Sequence, residues 1–217
     1  MKKTTQNILG RSACLSLVLG LGLICREVWE KETSSLDLAF LIGLHHWANP
    51  GLDTIMVSIT RLGDPAFVVV IVAIALAWLL YQHKRLEFVM LIVACVGAVG
   101  LNSGLKLVFG RSRPHLWTSL IHETTYGFPS GHALGSLVLY GFLAYLYAQR
   151  YPRRAKVTYG ITTILVALIG LSRLYLGVHY PTDVLAGYGM GMLWLVGCLL
   201  FMRWRGKLAA GKHVYDF

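Results

Sequence analysis

Three clusters of polar residues interrupt a largely apolar sequence, and their side chains are of the kinds that bind anions and transfer protons. The first cluster contains Lys106, Arg111, Arg113 and Pro114. The planar fork of an arginine donates two parallel hydrogen bonds, which suits a phosphate group. Taken alone, these cations are also compatible with a basic flank that anchors the end of a membrane helix.

The second cluster is the run Pro129, Ser130, Gly131 and His132. Ser130 is a favourable N-cap, and Gly131 lets backbone N–H groups approach a ligand. A helix N-terminus offers free N–H donors and a positive dipole end to an anion. His132 would lie on the first turn, where an imidazole can give or take a proton. The alternative is an ordinary capped turn with a histidine at the membrane interface.

The third cluster contains Ser172, Arg173, His179, Pro181 and Asp183. Pro181 fits the first turn of a helix, which places His179 just before that helix. The spacing of four residues lets the carboxylate of Asp183 reach one nitrogen of His179. Such a bond fixes the tautomer and leaves the other nitrogen free to attack. A capped helix start with an isolated histidine is the simpler alternative.

These clusters must be positioned by membrane helices, because six stretches approach the length of about 20 apolar residues that a span requires. The stretches are residues 12–25, 65–82, 88–105, 133–148, 157–171 and 184–202. Residues 26–63 are longer than a plain connection, and two apolar runs within them are interrupted by Asp37 and Asp53. We therefore predict an all-α, polytopic fold with six transmembrane helices and short outer-surface helices between the first and second spans.

The composition supports this membrane assignment. Hydrophobic residues make up 56% of the 217-residue chain, charged residues 14%, and the mean hydropathy is +0.60. These values exclude a disordered chain and an ordinary cytosolic enzyme. The length predicts one membrane-embedded domain over residues 1–217, with its core motifs at residues 106–183.

The net charge of +10 is explained by topology rather than by a polyanionic partner. If the N-terminus is cytoplasmic, most of the 20 Lys and Arg residues lie on the cytoplasmic side, as the positive-inside rule requires. Both termini are then cytoplasmic, and all three polar clusters are extracytoplasmic. The first stretch could instead be a signal peptide, but residues 22–24 lack a small-x-small cleavage pattern.

The three clusters together resemble the signature of the type 2 phosphatidic acid phosphatase family. Its first part, Lys, six residues and Arg-Pro, matches Lys106, Arg113 and Pro114. Its second part, Pro-Ser-Gly-His, matches residues 129–132, and its third part matches Ser172, Arg173, His179 and Asp183. The family includes bacterial phosphatidylglycerophosphate and undecaprenyl pyrophosphate phosphatases.

The resemblance implies a role for each matching residue. His179 is the nucleophile that forms a phosphohistidine, Asp183 orients it, and His132 protonates the leaving group and then activates water. The residues that hold the phosphoryl oxygens are Lys106, Arg113, Ser130, Gly131 and Arg173, with Arg111 as a possible secondary contact. Because fixed cations supply the charge and the motifs contain one carboxylate, we expect no metal and no other cofactor.

The predicted function is hydrolysis of a lipid phosphomonoester or pyrophosphate in the bacterial inner (plasma) membrane, with the active site on the periplasmic side. The substrate could be phosphatidic acid, phosphatidylglycerophosphate or undecaprenyl pyrophosphate. A lipid-to-lipid phosphotransferase would use the same residues, and a non-catalytic transporter of anionic lipids is a further alternative. We expect the bilayer and the lipid phosphate as partners, and neither nucleic acid nor an obligatory protein partner.

Overall fold

The computed structural model describes residues 2–30 and 35–212, which form helices and connecting loops without any β-strand. The prediction of an all-α fold is confirmed for these residues. In chain order the helices are α1 (Lys2–Trp29), α2 (Ser35–His45), α3 (Pro50–Arg61), α4 (Pro65–Tyr81), α5 (Arg85–Phe109), α6 (Gly131–Arg150), α7 (Ala155–Tyr175) and α8 (Pro181–Lys212), with a short 3₁₀ turn at Pro152–Arg154.

Four helical segments among the described residues are long and apolar enough to cross a bilayer. They are Arg85–Phe109, Gly131–Arg150, Pro152–Tyr175 and Pro181–Gly206, which coincide with the predicted third to sixth spans. Helices α3 and α4 meet at a bend of 45° and satisfy the same criteria only as a pair. The described residues therefore contain four candidate spans, or five if this pair is one broken span.

The prediction of six spans is thus confirmed only in part. The predicted first span, residues 12–25, lies inside α1, which is not among these four segments. The predicted second span, residues 65–82, coincides with α4, which has 17 residues. Residues 26–63 contain α2 and α3, so two short helices are present there, and their location at the outer surface stays a prediction.

Helix α6 is the centre of the bundle and packs against α5, α7 and α8. Its buried residues Leu134, Val138 and Phe142 share a hydrophobic core with Leu91 and Ala94 of α5. Burial of such side chains within the bundle leaves the remaining apolar faces for the bilayer.

Two glycines allow α8 to approach α6 closely. A Cβ atom added at Gly187 would lie 2.7 Å from the carbonyl oxygen of Ser130, and one at Gly191 would lie 3.0 Å from that of Leu134. Small residues at helix interfaces permit this backbone contact in membrane proteins. The N-termini of α6 and α8, which carry the second and third polar clusters, are therefore held side by side.

Candidate active site

The first polar cluster is organised by Thr125, which lies in the loop between α5 and α6. The Nζ atom of Lys106 donates to the Thr125 hydroxyl at 2.7 Å, and Arg113 Nη2 donates to the same hydroxyl at 3.2 Å. Arg113 Nε also donates to the Thr125 carbonyl oxygen at 2.7 Å. The two predicted anion-binding cations are therefore held next to each other.

Arg173, the third predicted cation, is buried and 1% exposed. Its Nη1 atom donates to Thr60 Oγ1 at 2.7 Å, and its Nη2 atom donates to Glu123 Oε1. Arg113 Nη2 lies 3.4 Å from the other carboxylate oxygen of Glu123. Glu123 consequently bridges the two guanidinium groups.

The bridging carboxylate is held in its charged form. Burial alone would raise the pKa of Glu123, but the guanidinium groups of Arg173 and Arg113 outweigh burial and hold the pKa below its ordinary value. A carboxylate between two guanidinium groups has the charge and hydrogen-bonding pattern of a bound phosphate oxygen pair. The position between Arg113 and Arg173 can therefore accommodate an anionic group.

His179 lies in the short connection between α7 and α8 and is 1% exposed. Its Nδ1 atom lies 3.3 Å from Asp183 Oδ2, and its Nε2 atom lies 3.3 Å from Arg113 Nη1. A guanidinium group can only donate, so Nε2 must be the acceptor and Nδ1 must carry the proton that faces Asp183. The lone pair of Nε2 therefore faces Arg113, and the contact between His179 and Asp183 that the residue spacing predicted is present.

The surroundings of His179 keep its imidazole neutral. Burial lowers the pKa of His179 to about 4, although the bond to Asp183 and the charge of this carboxylate act in the opposite direction. Asp183 is itself fixed, because Oδ2 accepts a hydrogen bond from the backbone N–H of Tyr180 at 2.9 Å. A neutral imidazole with a fixed tautomer is the form that can act as a nucleophile.

His132 lies on the first turn of α6, where the predicted N-cap is present: Ser130 Oγ accepts from the backbone N–H of Ala133 at 3.4 Å. The Nε2 atom of His132 lies 2.8 Å from Asp64 Oδ1 and 3.4 Å from Arg173 Nη1. This imidazole therefore reaches the same guanidinium group that binds Glu123.

Backbone hydrogen bonds join the three clusters. The N–H of Gly127 donates to the carbonyl oxygen of Arg111 at 2.8 Å, and the N–H of Ser130 donates to that of Asp183 at 3.0 Å. The structure therefore brings the predicted residues to one end of the bundle: Lys106, Arg111, Arg113, Ser130, Gly131, His132, Arg173, His179 and Asp183.

Arg111, which the sequence offered as a possible secondary contact, is held by two carboxylates. Its guanidinium group lies 2.6 Å from Asp183 Oδ1 and 3.1 Å from Asp37 Oδ2, and it donates to Thr182 Oγ1 at 2.7 Å. It also stacks over the ring of Tyr180, 4.3 Å from the ring centroid. Arg111 therefore fixes Asp183, and its secondary contact with phosphate stays a prediction.

Sequence reasoning did not identify three carboxylates of this region, Asp37, Asp64 and Glu123, as site residues. Asp37 carried a signal in the sequence, because an acid that interrupts an apolar run needs a partner. In the structure its side chain is buried, with 2% exposed. Asp64 and Glu123 lie in no recognisable motif, and only the folded chain brings them to His132 and to the arginines.

The part of the chain that the structure describes contains no group of three or more His, Cys, Asp or Glu side chains arranged to hold a metal ion. The local charge is instead supplied by Lys106, Arg113 and Arg173. Fixed cations of this kind can stabilise the charge of a transferring phosphoryl group.

Comparison with known proteins identifies the family. The model of the PAP2 superfamily matches residues 86–207, more than half of the chain, and this region contains all three motifs. The chain belongs to the PAP2 superfamily. The resemblance inferred from the motifs is thereby confirmed, and so is the prediction of a phosphatase of this family.

The relatives of this PAP2 protein include two from Bacillus subtilis (strain 168). Phosphatidylglycerophosphatase B is 33% identical over 182 residues, covering 82% of this chain and 89% of its relative. Undecaprenyl-diphosphatase BcrC is 33% identical over 165 residues, covering 73% of this chain and 78% of its relative. Membrane lipid phosphatase activity of the PAP2 type is therefore supported for this chain.

A solved structure shares the fold. The crystal structure of a transmembrane PAP2-type phosphatidylglycerolphosphate phosphatase from Bacillus subtilis matches with a TM-score of 0.80 at 29% identity. The match covers 87% of this chain and 94% of the solved one. The membrane assignment made from composition is consistent with this likeness.

Proposed function

We propose that this PAP2 phosphatase hydrolyses the phosphomonoester or diphosphate of a membrane lipid through a phosphohistidine on His179. The observation that carries the proposal is the position of His179: its Nε2 lone pair lies 3.3 Å from Arg113 Nη1, while Nδ1 faces Asp183. A nucleophile with a fixed tautomer thus lies beside the cations that would bind the phosphate.

In the first step, Nε2 of His179 attacks phosphorus and the bond between phosphorus and the leaving oxygen breaks. The leaving oxygen takes the proton of His132, and Asp183 stabilises the charge that develops on His179. In the second step, His132 takes a proton from water, the resulting oxygen nucleophile attacks phosphorus, and the N–P bond breaks. Phosphate and free His179 are the products.

Lys106, Arg113 and Arg173 hold the phosphoryl oxygens in this proposal, together with Ser130 and the backbone N–H of Gly131 at the start of α6. Arg173 Nε supports the assignment, because this buried donor has no hydrogen-bond partner among the described residues. The incoming phosphate replaces the carboxylate of Glu123 between the two arginines.

The proposed location is the inner membrane, with both termini cytoplasmic and the site extracytoplasmic. The end of the bundle opposite the site, where α5 begins and α6 ends, carries basic residues, namely Lys84, Arg85, Arg150, Arg153 and Arg154. Cytoplasmic loops are enriched in such residues. A site at the ends of spanning helices suits a substrate whose lipid tail stays in the bilayer.

The substrates we propose are phosphatidic acid, phosphatidylglycerophosphate and undecaprenyl pyrophosphate, with the last two supported by the names of the relatives from Bacillus subtilis. The experiment is phosphate release by the purified protein in detergent, with each lipid supplied alone. We expect inorganic phosphate from at least one lipid, no turnover by His179→Ala, and unchanged turnover by His115→Ala, an exposed histidine in the α5–α6 loop.

Two outcomes would contradict this proposal. Turnover near the wild-type rate by His179→Ala would show that His179 is not the nucleophile. Phosphate transfer that occurs only when a second lipid acceptor is present would instead indicate the phosphotransferase alternative.

A further inference from the structure

The corner between α3 and α4 contacts the candidate active site, although it lies outside residues 86–207, which the family model matches. Thr60 accepts a hydrogen bond from Arg173 Nη1 at 2.7 Å, and Asp64 lies 2.8 Å from Nε2 of His132. Gly63 lies against the imidazole, because an added Cβ atom would be 2.7 Å from His132 Cδ2. Three residues at the 45° bend of the helix pair, Thr60, Gly63 and Asp64, therefore contact two motif residues.

Asp64 occupies the N-cap position of α4, but its side chain forms no capping hydrogen bond. An aspartate at this position ordinarily accepts from a backbone N–H of the first helical turn. Here the carboxylate is directed to His132 instead. The local helix therefore does not explain the orientation of Asp64, and the contact with His132 does.

Three charged groups face His132. Asp64 approaches from the α3–α4 corner, Arg173 from α7 at 3.4 Å, and Glu123 acts over a longer distance from the α5–α6 loop. Arg173 opposes a positive charge on the imidazole, whereas both carboxylates favour it. An ionised carboxylate can only accept, so Nε2 carries a proton in its contact with Asp64.

We propose that Asp64 is the positioning residue of the acid–base His132, so that the site contains two His–Asp pairs, His132–Asp64 and His179–Asp183. The inference rests on the proposed function. Asp64 accepts a hydrogen bond from protonated Nε2 and favours the charged imidazole against Arg173. The leaving oxygen then replaces Asp64 as the acceptor and takes the Nε2 proton, which leaves the imidazole neutral. Its carboxylate is 42% exposed, which connects the pair to solvent.

This role predicts that the effect of an Asp64 substitution on kcat/KM depends on the leaving group of the substrate. An alkoxide needs a proton in order to leave, whereas 4-nitrophenolate leaves without one. Asp64→Asn keeps the shape and removes the charge. We expect it to lower kcat/KM for dihexanoyl phosphatidic acid by about 10- to 100-fold and that for 4-nitrophenyl phosphate by less than about 3-fold.

The pH profile gives a second readout that a purely structural role would not change. Asp64→Asn removes a charge that favours the protonated imidazole, so the alkaline limb of the pH profile for phosphatidic acid should move to lower pH. Asp64→Glu should move the alkaline limb part of the way back to its wild-type position. The matched control is Asp53→Asn, because Asp53 of α3 accepts a hydrogen bond from the Tyr175 hydroxyl at 2.6 Å and contacts no site residue through it. This variant should leave kcat/KM for both substrates unchanged.

The outcomes separate this inference from the proposed function. His132→Ala should show the same dependence on the leaving group, more strongly. Suppose that His132→Ala shows the dependence on the leaving group. The role of Asp64 is then wrong if Asp64→Asn lowers kcat/KM equally for both substrates, or lowers it for neither. If His132→Ala itself shows no such dependence, the proposed acid is wrong and the inference about Asp64 is overturned with it.

Discussion

Arg111 binds one carboxylate oxygen of Asp183 at 2.6 Å, while the other oxygen of Asp183 faces Nδ1 of His179 at 3.3 Å. The same guanidinium group binds Asp37 of α2 at 3.1 Å, and the side chains of Asp37 and Arg111 are 2% and 8% exposed. A buried chain of charges therefore runs from α2 to the proposed nucleophile. Arg111 fixes the carboxylate that fixes His179.

Substitution of Arg111→Gln should destabilise the protein, because it leaves Asp37 and Asp183 buried without their cation. Removal of one partner from a buried pair costs about 3–5 kcal/mol. The measurement is the thermal midpoint in detergent, which should fall, together with kcat. Arg26→Gln is the control, since its pair with Glu30 is exposed and contributes about 0–1 kcal/mol. Equal midpoints for the two variants would show that the buried network does not support the fold.

Substitution of Glu123→Gln should strengthen inhibition by inorganic phosphate, because the carboxylate competes for Arg113 and Arg173. A hydrogen bond to a charged group contributes about 1.5–3 kcal/mol, so we expect the inhibition constant to fall about 10-fold. Glu87→Gln, at the opposite end of α5, should leave the constant unchanged. An unchanged or higher constant in Glu123→Gln would mean that the carboxylate does not occupy the phosphate site.

The low pKa of His179 predicts activity in mildly acidic solution. Protonation removes the lone pair of Nε2, so the rate falls as the pH drops through the pKa, which burial sets at about 4. The measurement is kcat/KM against pH, divided by the fraction of substrate dianion. The remaining acidic limb should have its midpoint near 4, and a midpoint near the ordinary value of 6.5 would contradict the buried, neutral nucleophile.

Removal of divalent metals should not change the rate, because Lys106, Arg113 and Arg173 supply the positive charge of the proposed phosphate site. The measurement is phosphate release by protein dialysed against EDTA and assayed in metal-free buffer. We expect the same rate as that of the untreated protein. A loss of activity that magnesium restores would show that the cations are not sufficient.

Contacts within a motif could be predicted from the sequence because they depend on local spacing. The four-residue separation of His179 and Asp183 on a helix start brings imidazole and carboxylate together whatever surrounds them, and Ser130 caps α6 by the same local rule. The long apolar stretches likewise identified α5 to α8 as spans.

Contacts between distant segments could not be predicted in this way. Asp64 is 68 residues from His132, and Glu123 is 50 residues from Arg173, so neither pair has a sequence period that relates its members. The role of Arg111 depends on Asp37, which is 74 residues away on α2. These partners follow from the packing of α2 and the α3–α4 corner on α7 and α8.

The most direct test of the account is to trap the phosphohistidine. The protein is mixed with a lipid phosphate carrying a radioactive phosphoryl group, stopped in alkali during turnover, and digested so that the labelled peptide can be identified. We expect alkali-stable, acid-labile label on His179 in the wild type and in His115→Ala, and none in His179→Ala. Label that persists in His179→Ala, or turnover of the wild type without any labelled histidine, would contradict it.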